Sequence, residues 1–179
     1  MIEFHLHSYH SAPEQSKPLL EKSRAAFGSI PNLHAVMAEA PSALAAYQEL
    51  HNLFLNTSLT DEEKNVIWQT INVEHECHYC IPAHSLIAHV MNVPAPLNQA
   101  LVDQTPLPNR RLEVLREITL EIVRNRGHIG SLTLENFFDE GYTKQNLLEI
   151  IVGVAQKVMS NYTNHIADTP IDKRFKEFV

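Results

Sequence analysis

Beyond about residue 12 the apolar side chains recur at helical spacing and almost nowhere alternate, so the chain can bury them only by packing helix on helix. Leu112, Leu115, Ile118, Ile122 and Val123 form one stripe. Leu147, Ile151, Val154, Val158 and Tyr162 form a second, and Val66, Ile67 and Ile71 a third. Thr60-Asp61-Glu62-Glu63 and Ser131-Leu132-Thr133 read as helix starts, and Gly28, Gly127 and Gly141 as stops. The pattern predicts roughly eight helices, over 16–27, 33–39, 42–55, 60–75, 79–92, 109–126, 133–140 and 144–166. Prolines punctuate 93–108, with room for one short helix between them. Strand-like alternation is confined to the first few residues. The expectation is an all-α fold in a single domain over residues 1–179.

Composition narrows the function classes. A chain with 44% hydrophobic and 20% charged residues has the balance of an ordinary globular protein. A formal charge of −7 without a Lys/Arg cluster weighs against a nucleic-acid partner. No segment approaches the length of a membrane span, and Met1-Ile2-Glu3-Phe4-His5-Leu6-His7 lacks the features of an export signal. The expected location is therefore the cytoplasm, where the triplets Asn56-Thr57-Ser58 and Asn161-Tyr162-Thr163 would carry no sugar.

The only two cysteines stand together in Cys77-His78-Tyr79-Cys80, followed by Ile81-Pro82-Ala83-His84. In a reducing compartment such a pair points to redox chemistry or metal binding rather than to a fixed crosslink. Pro82 is tolerated only near a helix start, so a helix should begin at about Tyr79 or Cys80. Free N–H groups and the positive end of the helix dipole there favour thiolate over thiol. Four residues of helix place His84 roughly 6 Å along the axis from Cys80. His84 is thus better placed to serve Cys80 than Cys77.

Leu59-Thr60-Asp61-Glu62-Glu63, taken with the run from Val73 through Glu74, Cys77, Cys80 and His84 to Ser85, resembles the carboxymuconolactone decarboxylase superfamily, in its alkyl hydroperoxidase D-like branch. The specific match covers roughly residues 59–90. The resemblance implies an all-α AhpD-like domain that reduces hydrogen peroxide or alkyl hydroperoxides without a bound cofactor. It implies that Cys80 is peroxidatic, Cys77 resolving, and His84 a relay base. It also implies an external dithiol reductant, lipoyl-bearing or thioredoxin-like, and assembly as a homo-oligomer, a trimer or hexamer. One element departs from the pattern. The relay glutamate usually precedes the first cysteine by twelve residues, where this chain has Asn65, so Glu74 becomes the expected substitute and Glu76 the next.

Two other classes are weighed against this reading. A lactone decarboxylase is allowed by the superfamily, but its members generally lack the paired cysteines. A zinc-stabilised helical module would draw on Cys77, Cys80 and His84 with His75, His78 or His89, although structural zinc sites usually join two separated ligand pairs. His5, His7 and His10 read as a mobile polar terminus, and His75, His78 and Trp68 as packing or rim residues.

Overall fold

The computed structural model describes residues 4–179, so Met1, Ile2 and Glu3, where the strand-like alternation begins, lie outside the described residues. The described chain has nine α-helices: α1 Lys17–Phe27, α2 Asn32–Met37, α3 Pro41–Leu55, α4 Asp61–Glu74, α5 Cys80–Val90, α6 Ala95–Val102, α7 Arg110–Arg124, α8 Ser131–Asp139 and α9 Lys144–Ala167. Short 3-10 turns cover Glu14–Ser16 and Lys173–Phe178, and no strand occurs among the described residues. Helix α6 fills the proline-rich connection. The C-terminal 3-10 turn, which lacks a helical apolar pattern, packs on α5.

The punctuation acts as its chemistry requires. Thr60 and Glu63 form a capping box: Thr60 Oγ1 accepts from the Glu63 amide at 3.2 Å, and Glu63 Oε2 accepts from the Thr60 amide at 2.8 Å. Gly28, at φ 73°, closes α1 in the left-handed region that glycine enters at least cost.

Helix α4 is the hub. It packs against α5, α6, α7 and α9, and every residue from Glu63 to Asn72 is buried. One apolar core gathers Val66, Ile67, Trp68 and Ile71 with Leu115, Ile118, Phe137 and Ile150. A second, smaller core joins Leu20, Leu33, Leu44 and Tyr47 to Cys77, Tyr79, Cys80 and Phe175. The cysteine turn therefore lies inside the protein. The N-terminal segment is also held, because the His7 amide donates to the Ala35 carbonyl at 3.2 Å and its Nε2 lies 2.7 Å from the Glu39 carboxylate. That replaces the expected mobile terminus with a docked one.

The second sequence stripe sits differently from its reading as core. Ile151 and Tyr162 are exposed, while the fully buried side of α9 carries Ile150, Gly153, Gln156, Lys157, Ser160, Asn161 and Asn164. Burial of Asn161 also closes its glycosylation triplet. Gly153 is where α3 presses on α9: a Cβ there would lie 2.7 Å from a Phe54 ring carbon and 3.0 Å from Ile67. Gly153→Ala should destabilise the fold by about 1–3 kcal/mol despite alanine's better helix propensity, as overpacking does. Urea unfolding at equilibrium checks this; a variant as stable as wild type would mean the two helices yield freely.

Candidate active site

The cysteine turn is built by backbone bonds that leave both sulfurs beside the head of α5. Helix α4 ends at Glu74, Glu76 takes a left-handed φ of 51°, and the Cys77 amide turns back to the Asn72 carbonyl at 2.9 Å. Ile81 N–H donates to the Cys77 carbonyl at 3.1 Å, and Cys80 N–H points at the Cys77 sulfur at 3.4 Å. Pro82 falls in the first turn of α5, where its missing N–H costs nothing. Side-chain amides fasten the turn from α4: Asn72 donates to the Cys80 carbonyl at 3.3 Å and Gln69 to the Ile81 carbonyl at 3.2 Å. Both cysteines are free thiols.

Helix α9 supplies the other wall with the residues that a hydrophobic pattern hides. Asn164 Nδ2 lies 3.1 Å from the Cys80 sulfur and 4.0 Å from that of Cys77, and the Ser160 hydroxyl is 3.9 Å from Cys80. Lys157, fully buried, places its Nζ 2.9 Å from Nε2 of His84. Trp68 meets His84 edge-on at 4.9 Å, and its indole N–H donates to Gln156 at 2.8 Å. His84 is thus held against α9, and no hydrogen bond joins it to Cys80 among the described residues.

The electrostatics separate the two thiols. Burial alone would push the Cys80 thiol up, but the Cys77 thiol, the Lys157 cation, Asn161 and Ser160 outweigh it and bring it from 9.0 down to about 5. Cys77 moves the other way, since its hydrogen bond to Cys80, its burial and the Cys80 charge all keep its proton on. Burial, with Lys157 and His51 beside it, holds His84 well below the ordinary histidine range, so its imidazole is neutral at pH 7. Lys157 is lowered from the ordinary lysine range, because burial outweighs the Cys80 and Cys77 charges that pull it back up.

Cys80, His84 and Lys157 line a cavity of about 570 Å³, whose wall is largely apolar or aromatic, with Phe27, Tyr47, Tyr79 and Phe175 among its residues. Among the described residues no aspartate or glutamate lines it. Cys80 is only 2% exposed, so the cavity is its approach.

The structure brings together Cys77, Cys80 and His84 of the expected site residues, and not Glu74. Arg124 grips the Glu74 carboxylate with two bonds of 2.7 Å, and Glu74 lines a separate small pocket with Glu113, Arg116 and Glu117. A strong surface partner thus fixes it away from His84. Glu76 is exposed, and Asn65 lies beside Asn98 at 3.4 Å. The zinc ligand set is likewise dispersed: His75 bonds Asn161 at 2.9 Å, His78 faces the Thr169 carbonyl at 3.0 Å, and His89 packs near Phe178. Among the described residues no group of three or more His, Cys, Asp or Glu is placed to hold a metal. Sequence reasoning missed Lys157, Ser160 and Asn164. Their signal was a small and polar stripe of helical period running Gly153, Lys157, Ser160 or Asn161, Asn164.

An uncharacterised peroxidase-related protein of Ralstonia eutropha JMP134, described as an alkylhydroperoxidase AhpD core, superposes with a TM-score of 0.84 at 16% identity, over 98% of this chain and 96% of that one. The chain has the AhpD-core fold. A peroxidase-related protein of Silicibacter sp. TM1040 shares the AhpD-core fold with this chain at TM-score 0.81 and 17% identity, over 97% and 92% of the two chains. So does the debrominase Bmp8, as a cysteine-to-alanine variant in complex with 2,3,4-tribromopyrrole, at TM-score 0.83 and 18% identity over 99% and 96%. No protein-family model matches the sequence, and neither does any curated protein. No described helix is long and apolar enough to cross a membrane.

Proposed function

We propose that the chain is a thiol-dependent peroxidase in which Cys80 is the attacking thiolate and Cys77 the resolving thiol. The observation that carries this reading is the adjacent, unequal pair of free thiols: Cys80 lines the cavity and is drawn toward the thiolate, while Cys77 lies buried behind it, shares the Asn164 amide and is held toward the thiol. The Cys80 thiolate attacks the outer peroxide oxygen, the O–O bond breaks, and the departing oxygen takes a proton and leaves as alcohol or water. Cys77 then displaces hydroxide from the Cys80 sulfenic acid, closing a disulfide and releasing water. An external dithiol restores both thiols. Because the Cys80 sulfur is reached through the cavity, a slender dithiol arm such as dihydrolipoamide suits the approach better than a thiol on a broad protein surface.

The apolar wall favours an organic hydroperoxide over hydrogen peroxide. Cumene hydroperoxide should oxidise both thiols at lower concentration than hydrogen peroxide does, without dimers on a non-reducing gel; thiols that persist with either oxidant would refute the peroxidase reading. A second reading follows from the same aromatic wall, which also suits a halogenated ring, as in the tribromopyrrole complex of Bmp8. There the thiolate would take the halogen as a sulfenyl halide while the ring carbon gains a proton, and Cys77 would then expel halide. Bromide release from a bromopyrrole, without hydroperoxide turnover, would select it.

We also propose a homo-oligomer, supported by an apolar stripe that the monomer leaves bare. Leu148 (68% exposed), Ile151, Tyr162 and Ile166 (72%) follow one another along the outer side of α9. Light scattering should give a mass several times 20.3 kDa. The double change Ile151→Glu with Ile166→Glu should lower that mass; a monomeric wild type at micromolar concentration would refute the proposal.

A further inference from the structure

We propose that Lys157 is the counter-ion of the Cys80 thiolate and the proton store of the redox cycle, delivering its proton through His84 to the leaving group. The leaving group's identity rests on the peroxidase reading; the charge pairing does not. Lys157 is fully buried, and among the described residues no carboxylate lies within ion-pair distance of it or lines its cavity. A buried ammonium without a counter-charge gives up its proton, so Lys157 stays cationic only while an anion stands beside it. The groups that face it are His51 from α3, His84 and Cys80 from α5, Cys77 from the turn before α5, and Ser160 from its own helix, with Tyr47 of α3 lining the same cavity. His51 and His84 are kept neutral by burial, and burial keeps the Tyr47 phenol protonated. The Cys80 sulfur is the anion that remains.

Nε2 of His84 accepts from Lys157 at 2.9 Å, because an ammonium has no lone pair to offer. That bond fixes the tautomer with its proton on Nδ1. Nδ1 is buried without a partner in a residue that lines the cavity. Such an orphan donor is costly unless a ligand uses it. It gives its proton to the oxygen that leaves Cys80, and Nε2 is reprotonated by Lys157. The cycle then balances. An ammonium, a thiolate, a thiol and a hydroperoxide become an amine, a disulfide, an alcohol and a water, with no net charge before or after. When the thiolate disappears the lysine loses its reason to be charged, and it loses its charge.

Two measurements on the full chain test this without using peroxide. With Cys77→Ser leaving one thiol, iodoacetamide alkylation against pH should show the midpoint of Cys80 on the acid side of neutrality. Lys157→Met should slow alkylation about tenfold or more at pH 6, by returning the thiol towards its ordinary range. Lys157→Met removes a buried charge while keeping the length of the side chain, which favours folding; circular dichroism verifies it. In wild type, reduction of a diamide-formed disulfide near pH 7 should take up about two protons per two electrons, one for Cys77 and one for Lys157. A Lys157→Met midpoint equal to wild type, or an uptake of about one proton, would overturn the proposal. If the variant does not fold, the proton count decides the matter together with the Cys77→Ser midpoint: with Cys80 shown to be a thiolate, the second proton must sit on Lys157, and a Cys80 midpoint in the ordinary thiol range would overturn the proposal. Failure to consume hydroperoxide, with both results as expected, would remove the peroxidase reading and leave the charge pair standing.

Discussion

Cys80→Ser is expected to abolish peroxide consumption, whereas Cys77→Ser should perform one turnover and stop with a sulfenic acid that dimedone can trap. The expectation rests on the opposed acidities of the two sulfurs. Cys80, brought to about 5, is almost wholly thiolate at pH 7, while Cys77 keeps its proton and can act only after a sulfenic acid exists. A serine hydroxyl cannot replace a thiolate as nucleophile at neutral pH, so the loss in the first variant should reach the assay background. Mass spectrometry after one equivalent of hydroperoxide reads both variants. A dimedone adduct on Cys77 in the Cys80→Ser protein, with an inert Cys77→Ser protein, would reverse the two roles.

His84→Gln should separate two properties that a histidine-based relay ties together. Glutamine can still bond to Lys157 and offer an N–H to the cavity, but it cannot pass a proton. Hydroperoxide reduction should fall by roughly 10²–10⁴, the usual worth of acid–base assistance. The alkylation profile of Cys80 should stay where it is, because the neutral His84 is not what stabilises the thiolate. If the alkylation midpoint instead rises by more than a pH unit, an imidazolium was holding the thiolate and His84 is the base that the sequence resemblance implied. Glu74→Gln is the companion measurement: with its carboxylate spent on Arg124, it should move neither readout.

These expectations differ from those of the bare sequence at one place, and the difference has a physical origin. The helices were legible because their boundaries are written in local chemistry, such as the Thr60–Glu63 box and the left-handed glycines at 28, 127 and 141. The position of Cys80 at a helix head followed from Pro82 alone. The partner of His84 was not legible, since reading burial from apolar residues assigns lysines and asparagines to the surface. In α9 that inference inverts: Ile151 and Tyr162 face outward and Lys157, Asn161 and Asn164 face in. They are tolerated inside because each meets a polar partner there, His84, Asn72 and Cys80 respectively. Glu74 misled for the opposite reason. It adjoins the cysteine turn in sequence, but helix rotation points it toward Arg124 on α7.

The bonds from Asn72 and Gln69 to the carbonyls of Cys80 and Ile81 have a consequence for how the oxidised protein is recognised. They clamp the backbone after the sulfurs, as the bond from the Cys77 amide to the Asn72 carbonyl does before them, so closing the bridge calls for side-chain rotation rather than remodelling of the turn. A crosslink spanning so few residues also removes little freedom from the unfolded chain. Reduced and oxidised forms should therefore share nearly the same outline, melting temperature and protease resistance. Whatever regenerates the thiols finds no new surface announcing that work is needed; it must sample the cavity of every molecule and react only where a disulfide waits, which makes regeneration a matter of encounter frequency rather than of selective docking.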